Sequence, residues 1–161
     1  MHNALSIILR TSLKDRVSID AETQGYGTFL DYFNSMEKIA IPHHLGRVSP
    51  VFDVARNILT ICVRDGREDK REEVIVDVLD PFLRAQKVSA LGVDVVVCGA
   101  ISQPFEAALS AAGIEVIGFV CGPIEEVLSA ALNGTLEDAR FLMPGFAGPR
   151  RLRRRYGKEH R

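Results

Sequence analysis

Apolar and polar residues follow a regular strand or helix pattern only from Met36 onward. The preceding 35 residues mix glycines, aromatics and acids with no sustained period. The run EKIAIP, directly after Met36, predicts a short buried strand that ends at Pro42. We therefore expect residues 1–35 to be an N-terminal extension that need not belong to the core domain, and the domain itself to occupy residues 36–146.

Two runs rich in β-branched residues come next and predict an antiparallel hairpin. The first, NILTICVRDG, ends in the dipeptide Asp65-Gly66, which is typical of a tight turn. A charged stretch, REDKRE, separates this turn from the second run, EVIVDVL. Cys62 lies within the first run, where we expect its small thiol to fill space in the core.

From Asp80 the pattern alternates between helix and strand. Helices are predicted in DPFLRAQKVSALG, ISQPFEAALSAAGI and PIEEVLSAALNG, and buried strands in VDVVVCG and IEVIGFVCG. The first helix places four apolar residues at helical intervals: Phe82, Leu83, Val88 and Leu91. Such a succession requires parallel strands with right-handed crossovers, so we predict an α/β fold with a mixed sheet and helices on both faces.

Composition indicates an ordinary globular chain of 161 residues, with 47% hydrophobic and 25% charged residues. No apolar run is long enough to span a bilayer, and the N-terminus lacks the features of a signal peptide, so we expect a cytoplasmic protein. Cys62, Cys98 and Cys121 form no CxxC pair and cannot all pair with one another, which favours free thiols in a reducing compartment.

The net charge of −1 hides a strong asymmetry along the chain. Residues 150–161 hold seven Lys/Arg and one Glu, which gives this end +6 and leaves −7 for the rest. We expect residues 147–161 to form a basic, mobile tail that is drawn to anionic partners such as nucleic acid.

Candidate ligands follow three of the predicted strands. In an open α/β sheet, ligands bind beyond the carboxyl ends of the parallel strands. His43 and His44 follow the first strand in a predicted loop, Cys98 follows VDVVV, and Cys121 follows EVIGFV. If these strands are parallel, two thiols and an imidazole could meet at one edge and bind a metal or an iron-sulfur cluster.

Each of the two thiols is followed by a glycine and then by a helix. A helix N-terminus favours thiolate, and Gly99 and Gly122 would let a bulky ligand approach the backbone. Structural roles remain open, since small residues are also needed where strands turn into helices. We count these glycines as cofactor-binding candidates, together with Arg47, Ser49 and Ser102, the last also a candidate helix N-cap; Asp53 could simply cap a turn.

No catalytic motif is present. The chain lacks GxSxG, HExxH and GxxxxGK[ST], and its carboxylates cluster at helix starts or in the hairpin. A phosphoester hydrolase would need clustered carboxylates for Mg²⁺, whereas the predicted sheet edge offers thiols and imidazoles. We therefore expect a protein that is not an enzyme.

The segments MEKIAIP, GRVSPVFDVARN, VCGAISQPFEAALSAAGIEVIGFVCGPIEEVLSAALNG and FLMPG resemble the dinitrogenase iron-molybdenum cofactor biosynthesis family, the NifX-like domain that also ends NifB. The similarity covers roughly residues 36–145. It implies a ribonuclease-H-like fold of about five strands and a carrier role for iron-sulfur or iron-molybdenum cofactor precursors, alongside other cofactor-biosynthesis proteins. The chain departs from the family's pattern at Val51 and Asp53, where members often have histidine and glycine, and at Phe146, where MPGC has a thiol.

Two hypotheses of different classes follow. The first is a non-enzymatic carrier that holds an anionic cluster through Cys98, Cys121 and one of His43 and His44. The alternative is a regulatory or interaction module that binds a small anionic ligand at the sheet edge, or nucleic acid through the arginine-rich tail.

Overall fold

The structure is a computed structural model, and it describes residues 36–146. The predicted N-terminal extension and the predicted basic tail lie outside the described residues. Six strands and three α-helices follow in order: β1 (Met36–His44), β2 (Arg47–Val48), β3 (Asn57–Arg64), β4 (Arg67–Ile75), α1 (Pro81–Ala90), β5 (Val95–Val97), α2 (Gln103–Ala111), β6 (Glu115–Ile117) and α3 (Ile124–Asn133). A short 3-10 helix, Ala139–Phe141, comes last.

The strands form one mixed sheet in the order β4-β3-β1-β5-β6, with β2 paired to β1. β1, β5 and β6 are parallel to one another, whereas β3 with β4 and β1 with β2 are antiparallel. The predicted α/β class and mixed sheet are confirmed. The expected number of about five strands omitted β2, which has only two residues and leaves no periodic signal.

Alternate residues of β5 point into two separate apolar layers. Val95 and Val97 pack in a cluster with Val127 of α3, whereas Val96 packs in a second cluster with Val88 of α1 and Leu109 of α2. The helices therefore cover both faces of the sheet, as predicted. None of the helices in residues 36–146 is long and apolar enough to cross a membrane.

The first strand runs past Pro42, contrary to the prediction. The carbonyl of Pro42 accepts a hydrogen bond of 2.8 Å from the Ser49 N–H, and β1 continues to His44. The chain then reverses at Leu45-Gly46, where φ is 49° and 74°. The two histidines therefore lie at the end of a strand instead of in a loop.

The predicted start of the second strand of the main hairpin was also wrong. The predicted Asp65-Gly66 turn is present, with positive φ at both residues, but β4 begins immediately after it. The charged stretch REDKRE is therefore strand, and pairing ends at Ile75. An edge strand with exposed side chains carries no apolar signal, and charged residues there discourage pairing with other chains.

Helix α1 begins as predicted, because the Asp80 carboxylate accepts a 2.9 Å hydrogen bond from the Leu83 N–H. Its buried face differs from the expected one. Of the four apolar residues at helical intervals only Val88 is buried, while Phe82 is 64% and Leu83 is 50% exposed. Arg84 and Ala85 are buried in their place.

Arg84 is 1% exposed and binds two loops that flank α1. Its guanidinium lies 4.8 Å from the centre of the Phe52 ring. It donates hydrogen bonds to backbone carbonyls on both loops, namely those of Phe52, Ala55, Val76 and Val78. Burial lowers the pKa of this guanidinium from its usual high value.

Candidate functional site

Three segments meet at the carboxyl ends of the parallel strands, and we call this region the carboxyl edge. They comprise residues 43–56, 98–102 and 118–123. Backbone hydrogen bonds join them: the Phe52 N–H donates to Ala100 over 2.8 Å, and the Phe119 N–H donates to Gly99 over 2.9 Å. The edge is therefore a continuous, internally bonded surface.

The β1–β2 hairpin lies against the loop that carries Cys121. His44 is paired with Arg47, and Arg47 forms an isolated antiparallel bridge with Pro123. The Ile124 N–H, at the start of α3, donates to the Gly46 carbonyl over 3.0 Å. These contacts bring the backbone of the histidine-bearing hairpin beside the loop that holds the thiol.

Cys121 is half-buried at this edge. Its Sγ lies 3.2 Å from the carbonyl oxygen of Leu142, to which the thiol can donate a hydrogen bond. The Arg140 carbonyl oxygen lies 4.0 Å away. The thiol is thus within reach of the surface, with backbone oxygens of the C-terminal segment beside it.

Cys98 has a different environment from Cys121. It is 0% exposed and belongs to the apolar cluster between the sheet and helices α1 and α2, with Phe52 and Phe105. Burial raises the pKa of this thiol far above its usual range. A protonated thiol without access from outside is poorly suited to coordinate a ligand, so Cys98 is not available to share a ligand with the half-buried Cys121.

The two histidines also differ. The side chain of His43 is only 13% exposed, and its Nε2 lies 2.9 Å from Oε1 of Glu73 on β4, although the contact lacks hydrogen-bond geometry. His44 is exposed. Since the Nε2 of His43 faces a carboxylate, His44 is the freer of the two imidazoles to meet a ligand.

The predicted ligands do not form a complete metal site. Within residues 36–146, no three His, Cys, Asp or Glu side chains lie close enough together to hold a metal ion. All three cysteines are free thiols, and Cys62 is half-buried in β3.

The two glycines predicted to bind a cofactor, Gly99 and Gly122, lie where the protein packs closely. A Cβ at Gly99 would lie 2.5 Å from the carbonyl oxygens of both Ser49 and Pro50. At Gly122, where φ is 134°, it would meet a methyl of Val127 at 3.3 Å. The space expected for a ligand beside each glycine is filled by the protein itself.

Two of the polar candidates, Ser102 and Ser49, already make hydrogen bonds within the protein. Ser102 occupies the N-cap position of α2, as predicted, but its hydroxyl makes no capping bond, and its N–H donates to Oδ1 of Asp53 over 3.2 Å. Ser49 is buried and donates from Oγ to the Val51 carbonyl over 3.3 Å. Arg47, by contrast, is exposed.

The sequence pattern did not predict that the Asp53 carboxylate accepts a hydrogen bond at the start of α2. The contact joins residues 49 positions apart and leaves no local pattern. The sequence pattern also missed the partner of Glu125, at the start of α3. Arg71 of β4 donates to Oε1 of Glu125 over 2.6 Å, which lowers the pKa of that carboxyl. The negative charge of Glu125 at the start of α3 is therefore paired with a positive charge on β4.

The profile of the dinitrogenase iron-molybdenum cofactor family matches residues 36–134, which is more than half of the chain. The chain belongs to this family. The resemblance identified from the sequence segments is thereby confirmed. No curated protein matches the chain.

Solved structures share the fold of this family member. The crystal structure of PH0822 is 24% identical, with a TM-score of 0.56, and the match covers 60% of this chain and 91% of that one. The mj0327 protein of Methanocaldococcus jannaschii is 18% identical, with a TM-score of 0.54 and coverage of 63% and 91%. The apo form of the orange protein from Desulfovibrio gigas is 22% identical, with a TM-score of 0.53 and coverage of 62% and 90%.

Proposed function

We propose that this family member is a cytoplasmic, non-enzymatic carrier of an iron-sulfur or iron-molybdenum cofactor precursor, which it exchanges with other cofactor-biosynthesis proteins. The family membership supports the class of cargo. We also propose that the fold is ribonuclease-H-like, in keeping with the antiparallel hairpin at one side of the sheet and the βαβα units at the other.

The observation that carries the proposal is the bridge between Arg47 and Pro123. It holds the hairpin with His44 beside the loop with Cys121, so a thiol and an imidazole lie on neighbouring segments of the carboxyl edge. The guanidinium of Arg47 adds positive charge there, which favours an anionic cargo. Gly99, Gly122, Ser49 and Ser102 shape this edge through the contacts described above.

The donor set fits a cargo better than a resident cluster. A permanently bound cluster usually takes four cysteine thiolates, whereas this edge offers one half-buried thiol and one exposed imidazole. Two protein ligands suit a cluster that retains other, non-protein ligands and is transferred to another protein. Cys98 is not part of the proposed set, because it is closed inside the apolar core.

The alternative of a nucleic-acid-binding or regulatory module has no support from the family. Its main feature, the arginine-rich tail, lies outside the described residues. We therefore keep the carrier as the single proposal.

Anaerobic reconstitution with iron and sulfide tests it. The wild type should gain visible absorption and bound iron, because thiolate ligation gives intense sulfur-to-iron charge transfer. Cys121→Ala should lose most of that iron, whereas Cys98→Ala, a matched removal of a buried thiol, should keep it. Retention of full iron by Cys121→Ala, or no uptake by the wild type, would contradict the proposal.

A further inference from the structure

The chain returns to the carboxyl edge after α3, and we call residues 139–146 the strap. Val120 and Leu142 form an antiparallel bridge. Two further backbone hydrogen bonds flank it, each of 3.0 Å: the Cys121 N–H donates to the Phe141 carbonyl, and the Met143 N–H donates to the Phe119 carbonyl. The strap is thus bound along the same loop that presents Cys121.

The strap also occupies the thiol. The Sγ of Cys121 lies 3.2 Å from the Leu142 carbonyl oxygen, so the thiol hydrogen is directed to the strap. A metal or an electrophile that approaches the sulfur competes with this carbonyl oxygen for the same side of the sulfur, so opening the contact should make Cys121 react faster.

The far end of the strap is fixed by an aromatic stack. The ring of Phe146 lies 4.3 Å from that of Phe119, with 10° between their planes. Phe119 has a φ of 60°, which is uncommon for a bulky side chain. Backbone strain of this kind tends to occur at functional and switching segments.

The near end of the strap is anchored more firmly. Phe141 is 1% exposed and belongs to the apolar cluster beneath α3. Beyond it, Gly145 adopts a φ of 85°, and a Cβ there would meet nothing within 4 Å. The strap therefore has a buried anchor at Phe141, and from Leu142 onward its residues are half-buried or exposed.

We propose that residues 142–146 open and close over Cys121, and that the Phe119–Phe146 stack holds them closed. Opening breaks the Val120–Leu142 bridge and releases the thiol from the Leu142 carbonyl, while Phe141 stays in the core. The purpose of this device, control of when a cargo can be bound, rests on the proposed carrier function. Its existence can be measured without any metal.

The test is the rate at which iodoacetamide alkylates each cysteine in the full chain at pH 8. Cleavage at glutamate separates Cys98 from Cys121, because Glu106 and Glu115 lie between them. Loss of the stack in Phe146→Ala should raise the rate at Cys121 by about 3- to 10-fold, as expected for the energy of an aromatic pair. Phe146→Tyr keeps a stacking ring and should restore the slow rate.

Phe82→Ala is the matched control, since it removes an exposed phenylalanine from α1. It should leave the Cys121 rate unchanged. An unchanged rate in Phe146→Ala would overturn the proposal, and so would an equal rise at Cys98, which would indicate general unfolding. A wild-type Cys121 rate as fast as that of the chain in denaturant would also overturn it. None of these outcomes depends on iron binding, so failure of the strap and failure of the carrier can be told apart.

Discussion

At the scale of single residues, the carboxyl edge leaves little free space around its backbone. Carbonyl oxygens of one loop fill the position beside Gly99, and the thiol of Cys98 is enclosed between the sheet and two helices. From sequence alone, a glycine that admits a ligand and a glycine that admits another loop look the same. The difference depends on contacts between distant segments, such as that of Gly99 with Ser49 and Pro50.

Gly99→Ala should destabilise the protein by about 1–3 kcal/mol, because the new methyl would meet two backbone oxygens that have no rotamer to change. Gly118→Ala is the matched control, since its Cβ would lie 3.4 Å from a flexible methyl of Ile101, an ordinary contact. Urea unfolding curves measure both variants. Equal losses for the two variants would contradict the packing role of Gly99.

Burial of Cys98 predicts a pH dependence of stability. Its folded pKa is raised above the ordinary thiol value of about 8.5. The stabilisation is therefore complete below that value and is lost as pH rises above it, because only the unfolded chain ionises. Between pH 7.5 and 9.5, the wild type should lose about 1.4 kcal/mol more than Cys98→Ala in urea unfolding. Parallel losses would show that Cys98 ionises in the folded state.

At the scale of elements, the sequence pattern located those whose side chains divide between core and solvent. The helices were predicted close to their observed bounds for this reason. β5 was predicted because its continuous apolar run is typical of a strand buried on both faces. The position of β4 was predicted wrongly because both its faces carry charged side chains over most of its length. Only its backbone pairing with β3 makes it a strand. The buried face of α1 was missed because arginine is almost never fully buried without compensation.

Arg84→Met should lower the free energy of unfolding by about 2–4 kcal/mol, because it leaves several buried carbonyls without a donor. Arg56→Met is the matched control. Its exposed pair with Asp77, 2.9 Å long, should contribute less than about 1 kcal/mol. Thermal and urea unfolding measure both, and a loss no larger in Arg84→Met than in the control would refute the bridging role of Arg84.

At the scale of the whole molecule, the family, the α/β class and the parallel arrangement of β1, β5 and β6 could all be anticipated from the sequence. The sequence could not show whether the two thiols converge. Alternate residues of a strand lie on opposite faces of the sheet, and the bend that follows the strand sets the direction of the next side chain. Cys98 is enclosed in the core, whereas Cys121 is half-buried and contacts the strap. The cargo site proposed for the protein therefore rests on Cys121 and its neighbours on the β1–β2 hairpin.

Protection of Cys121 by bound cargo tests this site most directly. After anaerobic loading with iron and sulfide, mass spectrometry would follow alkylation of Cys121 against that of Cys62, a half-buried thiol in β3. We expect loading to slow the reaction at Cys121 severalfold and to leave Cys62 unchanged. Undiminished alkylation of Cys121 while iron stays bound to the protein would contradict a cargo site at the carboxyl edge.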